Sequence, residues 1–318
     1  MGLFHCPMGC AYYEDEPCID CLLCLATSQE EMVSASKRIR DYLKSHAETR
    51  KGPSQKIAVC GKGGTGKTTA VVLMANAFRS IGYIVLVMDM DDSNPGLRKM
   101  LGFRREPKPL IATVDRLAGA QPSGTEWFAR KEILVSDIPQ EYLLRQNNLR
   151  FLMVGKIADP FQGCACSLAD VGRDLAQKII LQEKEILLID TEAGVESFGR
   201  GLERYVDTVV VMVEPSSESL ALAEKISYMA DGIGVRRVKT IPNKIPTAMV
   251  EKRILEEMDK RKIEILGTLY LDDQISASSL EGKGPPEYSD AQKTMNRIAR
   301  RLLEEELQTG TGKERYQG

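Results

Sequence analysis

The sequence has no surplus of charge of either sign. Its 318 residues include 43 lysines and arginines against 45 aspartates and glutamates, so the formal net charge is −2. Proteins that bind nucleic acid usually carry a strong basic surplus. The charge balance therefore argues against a nucleic-acid partner, and the length allows one large α/β domain with a small appendage.

Long apolar runs are also missing. The runs YIVLVM and TVVVMV are of strand length, far short of the roughly 20 apolar residues of a membrane span. The first residues contain no apolar signal-peptide core, and MGLFHC has Cys6 where a myristoylation site has Ser or Thr. We therefore expect a cytoplasmic protein with no membrane partner. In that compartment, closely spaced cysteines more often bind metal or do redox chemistry than form disulfides.

A regular alternation of strand-like and helix-like segments is present from Lys56 onward. The predicted strands are KIAVC, YIVLVMD, EILLID, TVVVMV, VKTIPNK and EILGTLYL. This alternation of strands and helices predicts an α/β fold with a mostly parallel, doubly wound sheet covered by helices. Residues 103–163 interrupt this alternation and are interpreted as an insertion. A further helix is predicted from about Ser289 to Leu307.

The chain is predicted to contain three regions. Residues 1–50 form a small cysteine-rich metal-binding segment with a helix, which begins at the capping box Ser28-x-x-Glu31. The stretch ETRKGPSQ then breaks the pattern and is typical of a linker. Residues 56–305 form the large α/β domain, and residues 306–318 form a flexible tail.

The segment GKGGTGKTT, residues 61–69, follows the first predicted strand and opens a helix. It fits the P-loop pattern G-x-x-x-x-G-K-[ST], and it also fits G-x-G-x-x-G, for which Asp89 would be the ribose-binding acid. Lys67 supplies a charge for phosphates and Thr68 a hydroxyl for Mg²⁺, which a dinucleotide loop does not need, so a P-loop is favoured. The predicted nucleotide-binding residues are Gly61, Gly63, Gly64, Thr65, Gly66, Lys67, Thr68, Thr69 and Asn243.

Polar residues follow several predicted strands at the edge where a parallel sheet binds ligands. Asp190 ends ILLID and is suited to hold a Mg²⁺-bound water. Asp91, in DMDDSN, is placed to orient the attacking water; alternatively it only solvates a loop. Asn243, in PNK, is a candidate for reading the adenine edge. The predicted magnesium ligands are Thr68, Asp91 and Asp190.

Lys62 turns the P-loop into KGGTGKT, which resembles the deviant Walker A motif of the MinD/ParA/ArsA class of ATPases, including the nitrogenase iron protein. The resemblance implies an ATPase that uses ATP and Mg²⁺. It also implies that the ATP-bound form is a closed homodimer, in which Lys62 reaches the nucleotide phosphates of the partner subunit. With Lys67 of the P-loop pattern and Asp91 after the second predicted strand, Lys62 completes the predicted catalytic residues.

Cys164 and Cys166 are one residue apart in FQGCACSL. In a strand, both thiols would lie on the same face, but two thiolates are only half of a tetrahedral metal site. From these residues alone, half of a metal site and two buried cysteines packed as small apolar side chains are equally good interpretations.

Four segments resemble CooC-type carbon monoxide dehydrogenase maturation ATPases, which support nickel insertion. They are LVSDIPQEYLL, LMVGKIADPFQGCACSL, LLIDTEAGVESFGRGLERYVDTVVVMVEPSSESL and GIGVRRVKTIPNKI, and the resemblance covers residues 56 to about 290. It implies that Cys164 and Cys166 meet the same pair of a two-fold partner, so that four thiolates hold Ni²⁺ or Zn²⁺ at the dimer interface. It also implies a Ni–Fe–S client enzyme, carbon monoxide dehydrogenase or acetyl-CoA synthase.

The first 50 residues depart from that family. CIDCLLC has the C-x2-C-x2-C spacing of a ferredoxin run, although the usual fourth cysteine before a proline is missing downstream. A [4Fe–4S] cluster is the favoured interpretation and Zn²⁺ the second. The predicted ligands are Cys18, Cys21 and Cys24 with one of Cys6 or Cys10.

The leading hypothesis is an ATP-gated metallochaperone that delivers nickel. The alternative is an ATP-gated iron–sulfur electron-transfer or reductive-activation protein resembling the nitrogenase iron protein, which the ferredoxin-like run supports. Those proteins supply one cysteine from each of two separated loops, whereas Cys164 and Cys166 share one motif, and this favours the first hypothesis.

Overall fold

The computed structural model describes residues 54–91, 96–113, 124–155, 165–194, 201–232 and 235–308. The chain divides into two units, Met1–Gly52 and Pro53–Gly318. The described residues all belong to the second unit. The predicted cysteine-rich segment and its helix therefore lie outside the described residues.

A seven-stranded sheet with the order β4-β5-β2-β7-β1-β8-β9 forms the centre of this unit. Two further strands among the described residues, β3 and β6, pair with each other in a small parallel sheet. The strands are β1 (Gln55–Gly61), β2 (Ile84–Asp89), β3 (Ile133–Leu134), β4 (Leu144–Gln146), β5 (Leu149–Met153), β6 (Ile179–Ile180), β7 (Glu185–Asp190), β8 (Thr208–Val213) and β9 (Arg237–Pro242).

Every pair in the large sheet is parallel except the edge pair β4–β5. The central strand β1 is buried on both faces, as its apolar run predicts. Successive side chains alternate between two cores: Ile57 and Val59 pack into one, and Ala58 and Cys60 into the other. The predicted mostly parallel α/β sheet is confirmed.

Helices cover both faces of the sheet. Apolar residues of α1 and α7 pack on the face of Ile57, and those of α3, α4 and α5 pack on the face of Ala58. The helices are α1 (Lys67–Ser80), α2 (Leu97–Met100), α3 (Ala165–Lys178), α4 (Ser217–Gly232), α5 (Ala248–Lys260), α6 (Asp273–Leu280) and α7 (Asp290–Gln308).

The interpretation of residues 103–163 as an insertion is wrong for part of this stretch. Strand β5 joins the large sheet beside β2 in parallel register, from Val85 opposite Leu149 to Asp89 opposite Met153. The region therefore supplies a strand of the main sheet, and its antiparallel neighbour β4 forms the edge.

The sixth predicted strand, EILGTLYL at residues 264–271, is not a strand in the structure. Its pairing with β9 is limited to an isolated bridge between Thr240 and Ile265. The backbone hydrogen bonding between β9 and residues 264–271 does not continue as a regular ladder, because Pro242 of β9 has no N–H to donate to a carbonyl of the other segment. Leu269 N–H donates instead to the Pro242 carbonyl at 2.8 Å.

Helix α7 extends past the predicted domain end at residue 305 and continues to Gln308. Glu306 is buried, and its carboxylate pairs with Arg237 of β9. The first residues of the predicted flexible tail are thus part of the helix, and residues 309–318 lie outside the described part of the chain. No described helix combines the length and the apolar character that a membrane span requires.

Candidate nucleotide-binding site

The P-loop connects β1 to α1, as predicted, and its backbone requires glycine. Gly61 has φ +143° and Gly66 has φ +89°, conformations that side chains rarely adopt. A Cβ at Gly61 would lie 2.5 Å from the Met212 carbonyl oxygen, and a Cβ at Gly66 would lie 2.5 Å from Asn243 Nδ2. Glycine therefore allows the loop to turn tightly against the ends of β8 and β9.

Two side chains that follow β9 donate hydrogen bonds to backbone carbonyls of the P-loop. Asn243 Nδ2 donates to the Thr65 carbonyl at 2.7 Å, and Lys244 Nζ donates to the Gly64 carbonyl at 2.6 Å. Within the loop, Thr65 Oγ1 donates to the Lys62 carbonyl at 2.8 Å. The PNK segment thus holds the P-loop in place. Sequence reasoning identified Asn243 but missed Lys244, whose role depends on a contact between segments 180 residues apart.

Lys67 begins α1 and is largely buried, with 6% of its surface exposed. Its Nζ donates to the Lys62 carbonyl at 3.3 Å, so it bends back over the loop rather than out into solvent. The N-terminal amides of a helix and a lysine at the same place are suited to bind a polyphosphate. Gly63 and Gly64 are exposed at the tip of the loop, and Thr69 is half-buried on α1.

Thr68 and Asp190 meet directly. Thr68 Oγ1 donates to Asp190 Oδ2 at 2.8 Å, and Asp190 is completely buried. Burial raises the pKa of Asp190 to about 7; the Thr68 hydrogen bond opposes this shift, and Asp89 and Asp91 add to it. Asp190 Oδ1 is buried without a hydrogen-bond partner among the described residues. A buried carboxylate with an unsatisfied oxygen, next to a hydroxyl, is a donor set that fits Mg²⁺.

Asp89 and Asp91 join this acidic group from the neighbouring strand. Asp89 lies opposite Asp190 in the parallel register of β2 and β7. Asp89 and Asp91 are both buried, and both act on the pKa of Asp190. The structure therefore brings all three carboxylates to one edge of the sheet beside the P-loop, and it does not place Asp91 in an exposed loop.

Lys62 points away from the buried group. Its Nζ forms an ion pair with Glu214 Oε1 at 3.3 Å, and 42% of its side chain remains exposed. Glu214 directly follows β8, and its N–H donates to Ser219 Oγ at 3.1 Å at the start of α4. Sequence reasoning missed Glu214, because no motif connects two residues that are 152 positions apart.

A pocket of about 230 Å³ opens beside the loop. Its lining includes Gly66, Asn243, Leu269, Tyr270 and Ser276. Pockets for complete small-molecule ligands measure about 300–1,000 Å³, so this one has the size for a single ring system. It lies next to the phosphate-binding loop and is partly apolar, which is the environment that a nucleobase requires.

The model of the CobQ/CobB/MinD/ParA nucleotide-binding domain matches residues 56–286. The chain belongs to this family. The chain is therefore an ATPase of the MinD/ParA class, as the P-loop with Lys62 predicted. The predicted nucleotide-binding residues and the three predicted magnesium ligands lie together in its site, but their individual roles remain predictions.

Two curated relatives support the narrower resemblance. An uncharacterised ATP-binding protein of Methanocaldococcus jannaschii is 35% identical over 65% of this chain and 85% of the relative. The carbon monoxide dehydrogenase accessory protein CooC of Rhodospirillum rubrum is 32% identical over 71% of this chain and 88% of the relative. The expected resemblance to the CooC-type proteins is thus confirmed.

Solved structures agree with this MinD/ParA-type fold. The cell division ATPase MinD of Pyrococcus furiosus aligns with a TM-score of 0.58 at 19% identity, covering 80% of this chain and 99% of that protein. A ParA family ATPase of Chlorobium tepidum aligns with a TM-score of 0.59 at 16% identity, covering 79% and 99%. These structures establish the fold and no more.

The cysteines of this MinD/ParA-type chain are described only in part. Cys164 lies outside the described residues, and Cys166 lies in the first turn of α3, where its side chain is not described. The strand geometry considered for this pair is therefore wrong at Cys166. Among the described residues, no group of three or more Cys, His, Asp or Glu side chains is arranged to hold a metal ion. The predicted cluster ligands that lie outside the described residues are Cys6, Cys10, Cys18, Cys21 and Cys24.

Proposed function

We propose that this ATPase is a cytoplasmic metallochaperone, which uses an ATP-gated homodimer to deliver nickel to a Ni–Fe–S enzyme. The observation that carries the proposal is the 32% identity to a carbon monoxide dehydrogenase accessory protein over 71% of the chain, in a sequence that contains the pair Cys164 and Cys166. The client follows from the same relative: carbon monoxide dehydrogenase itself, or the chemically similar acetyl-CoA synthase.

The buried end of the site carries out hydrolysis. Lys67 and the amides at the start of α1 hold the β- and γ-phosphates. Thr68 and Asp190 would hold Mg²⁺, which would neutralise phosphate charge. Asp91 orients a water molecule for in-line attack on the γ-phosphorus. The bond from this phosphorus to the β-phosphate oxygen breaks, and ADP and phosphate are the products.

The pocket beside the loop selects the base. Asn243 uses its amide nitrogen to hold the Thr65 carbonyl, which leaves its side-chain oxygen as an acceptor for the amino group of adenine. Leu269 and Tyr270 supply apolar surface to the ring. This assignment gives Asn243 two roles, one in holding the P-loop and one in reading the nucleotide.

Lys62 connects hydrolysis to the oligomeric state. Its side chain is accessible at the surface and is held by Glu214, so it can leave this ion pair when a second copy presents its nucleotide. If the lysine contacts the partner's γ-phosphate, hydrolysis and phosphate release remove that contact and weaken the dimer. ATP therefore closes the dimer, and hydrolysis opens it.

The cargo binds where the two copies meet. Cys164 and Cys166 of each subunit supply four thiolates around a two-fold axis, a set that suits Zn²⁺ and, with a flatter geometry, Ni²⁺. Opening of the dimer separates the two pairs and lowers the affinity for the metal. The cysteines at positions 6–24 form a second centre, a [4Fe–4S] cluster or a zinc site.

The experiment is nickel transfer to a client. Carbon monoxide dehydrogenase prepared without nickel is incubated with the nickel-loaded chain and Mg-ATP, and carbon monoxide oxidation is measured. We expect activation by the wild type and by Lys252→Ala, a control at an exposed lysine of α5, and none by Lys62→Ala or by Cys164→Ser/Cys166→Ser. Equal activation by the cysteine variant, or activation that does not require ATP, contradicts the proposal.

A further inference from the structure

A concentrated basic surface lies outside the nucleotide site. Residues 97–108 and 140–150 together contain seven lysines and arginines and two glutamates, a surplus of five positive charges in a chain whose net charge is −2. The two segments are apart in the sequence and come together beside the edge strand β4. None of the residues that line the resulting groove also lines the pocket beside the P-loop.

The groove has a volume of about 720 Å³. Its apolar residues are Phe103 and Leu143, which are buried, and Leu144, which is half-buried. The ring of Phe103 packs against the ring of Phe151 of β5, and the two ring centroids are 5.8 Å apart. The floor of the groove is therefore apolar, and Leu144 is the one of these three side chains that is partly accessible.

Three exposed arginines, Arg104, Arg105 and Arg145, line the groove. None of them forms an ion pair with an acidic side chain in the described part of the chain. Their positions are partly fixed by backbone contacts: Arg145 donates to the Ile138 carbonyl at 2.9 Å, and Arg98 donates to the Arg105 carbonyl at 3.1 Å. The Arg145 side chain and the Arg105 backbone are therefore held in place, and the described acidic side chains do not compensate the three positive charges.

The acidic residues nearby do not neutralise the groove. Glu141 pairs with Lys108 at 3.4 Å, so these two charges offset each other. Glu106 is exposed, and it adjoins Arg105 in the sequence. When Lys108 and Glu141 are left out of the count, the two segments still contain six basic side chains and a single acidic one.

A further arginine increases the repulsion at the groove. Arg150 of β5 lies directly opposite Arg145 of β4 in the antiparallel register. Like charges in such cross-strand positions destabilise a sheet. Burial and the charge of Arg150 both lower the pKa of Arg145. A counter-charge that enters the groove relieves this repulsion.

We propose that the groove between Gly102–Arg105 and Gln140–Gln146 docks an acidic segment of a partner protein, one that interleaves carboxylates with apolar side chains. The carboxylates pair with Arg104, Arg105 and Arg145, and the apolar side chains pack on the accessible part of Leu144. A nucleic acid fits less well, because its backbone extends its negative charge beyond the groove and the chain as a whole has a net charge of −2. The proposal does not depend on nickel delivery.

The test uses the full chain and a fluorescein-labelled peptide of glutamates and leucines, with fluorescence anisotropy at low ionic strength. We expect saturable binding that salt weakens steeply, and weaker binding of an all-glutamate peptide of equal length. Arg104→Glu/Arg145→Glu is expected to weaken binding by about tenfold or more. Lys252→Glu/Arg253→Glu on α5, which makes the same change of net charge at exposed positions, is expected to bind like the wild type.

The ATPase rate and circular dichroism of both double variants show whether each one is folded. A milder variant, Arg104→Gln/Arg145→Gln, replaces the reversal if Arg104→Glu/Arg145→Glu fails to fold. Equal peptide binding by the groove variant and the wild type overturns the proposal, and so does the absence of peptide binding to the wild type. Tighter binding of a single-stranded oligonucleotide of equal charge, lost in the groove variant, also overturns it and assigns the groove to nucleic acid.

Discussion

Thr68 Oγ1 donates a hydrogen bond of 2.8 Å to Asp190 Oδ2, which ties the first turn of α1 to the end of β7. The bond places the hydroxyl that follows the P-loop lysine against a fully buried carboxylate, whose other oxygen has no partner among the described residues. One contact thus joins the phosphate-binding loop to the sheet edge that carries Asp89 and Asp91.

The variant Asp190→Asn is expected to raise the thermal stability of the protein and to lower its rate of ATP hydrolysis. The carboxylate is buried with its pKa raised to about 7, so the nucleotide-free and metal-free wild type loses stability as the pH rises towards and through that value. The variant has no such charge. We expect its melting temperature to exceed that of the wild type by a few degrees at about pH 8, with a smaller gain at about pH 5.

The same variant is expected to lose ATP hydrolysis by about 100-fold or more, as when one preorganised electrostatic group is removed from an active site. Calorimetry at the two pH values and a phosphate-release assay measure the two effects. A variant that keeps wild-type hydrolysis contradicts the role given to Asp190, and a variant that is less stable at both pH values contradicts the account of its buried charge.

Gly66→Ala tests the contact between the P-loop and Asn243. The new Cβ would lie 2.5 Å from Asn243 Nδ2, so we expect the loop to shift and ATP affinity to fall by about tenfold or more. Gly82→Ala is a matched control, because Gly82 has the same φ of +89° but a Cβ there would have no other atom within 4 Å. Gly82→Ala should cost about 1 kcal/mol of stability and leave ATP affinity unchanged. Equal ATP affinity in the two variants contradicts the contact.

Glu214→Gln tests whether the Lys62 ion pair opposes closure of the dimer. The pair is partly exposed, and such pairs contribute about 0.2–1 kcal/mol. Because each of the two subunits breaks one such pair on closure, we expect the variant to dimerise with a non-hydrolysable ATP analogue at a protein concentration up to about 30-fold lower than the wild type. Sedimentation velocity measures this, with Glu224→Gln on α4 as the control. A variant that dimerises less readily than the wild type contradicts the role of Glu214.

Cys60 should be inert in the native protein. The thiol is 1% exposed, and burial raises its pKa far above the usual value, with a further contribution from Glu203. Because the thiolate is the reactive form, iodoacetamide at about pH 8.5 should leave Cys60 unmodified in the native protein and modify it after denaturation. Peptide mass spectrometry measures this residue separately from the other cysteines. Modification of native Cys60 contradicts its assignment to the core.

The sequence pattern was sufficient to predict the P-loop and most strands of the central sheet. Gly61–Thr69 forms a local motif, and buried parallel strands such as ILLID are continuous apolar runs, so both can be predicted without tertiary information. Strand β5 was missed because LRFLM is short and has an arginine inside. EILGTLYL has the composition of a strand, but its pairing fails at Pro242, a residue of the neighbouring strand.

The parts of the site that could not be predicted depend on contacts between distant segments. Lys244 reaches Gly64 and Glu214 reaches Lys62 across 180 and 152 positions. The raised pKa of Asp190 depends on burial and on carboxylates of another strand. The basic groove likewise forms only when residues 97–108 meet residues 140–150. Sequence motifs identify the residue types, and the fold decides which of them meet.

The central claim is that nucleotide controls a nickel site shared between two copies of the chain. The most direct measurement is the nickel content and molecular mass of anaerobically purified protein, with ADP and with a non-hydrolysable ATP analogue. It compares the wild type with Cys164→Ser/Cys166→Ser. The account predicts a wild-type dimer with about one nickel ion, bound in a nucleotide-dependent manner, and no such nickel in the variant. Equal nickel binding by the variant, or iron and sulfide at positions 164 and 166, would contradict it and favour an electron-transfer ATPase.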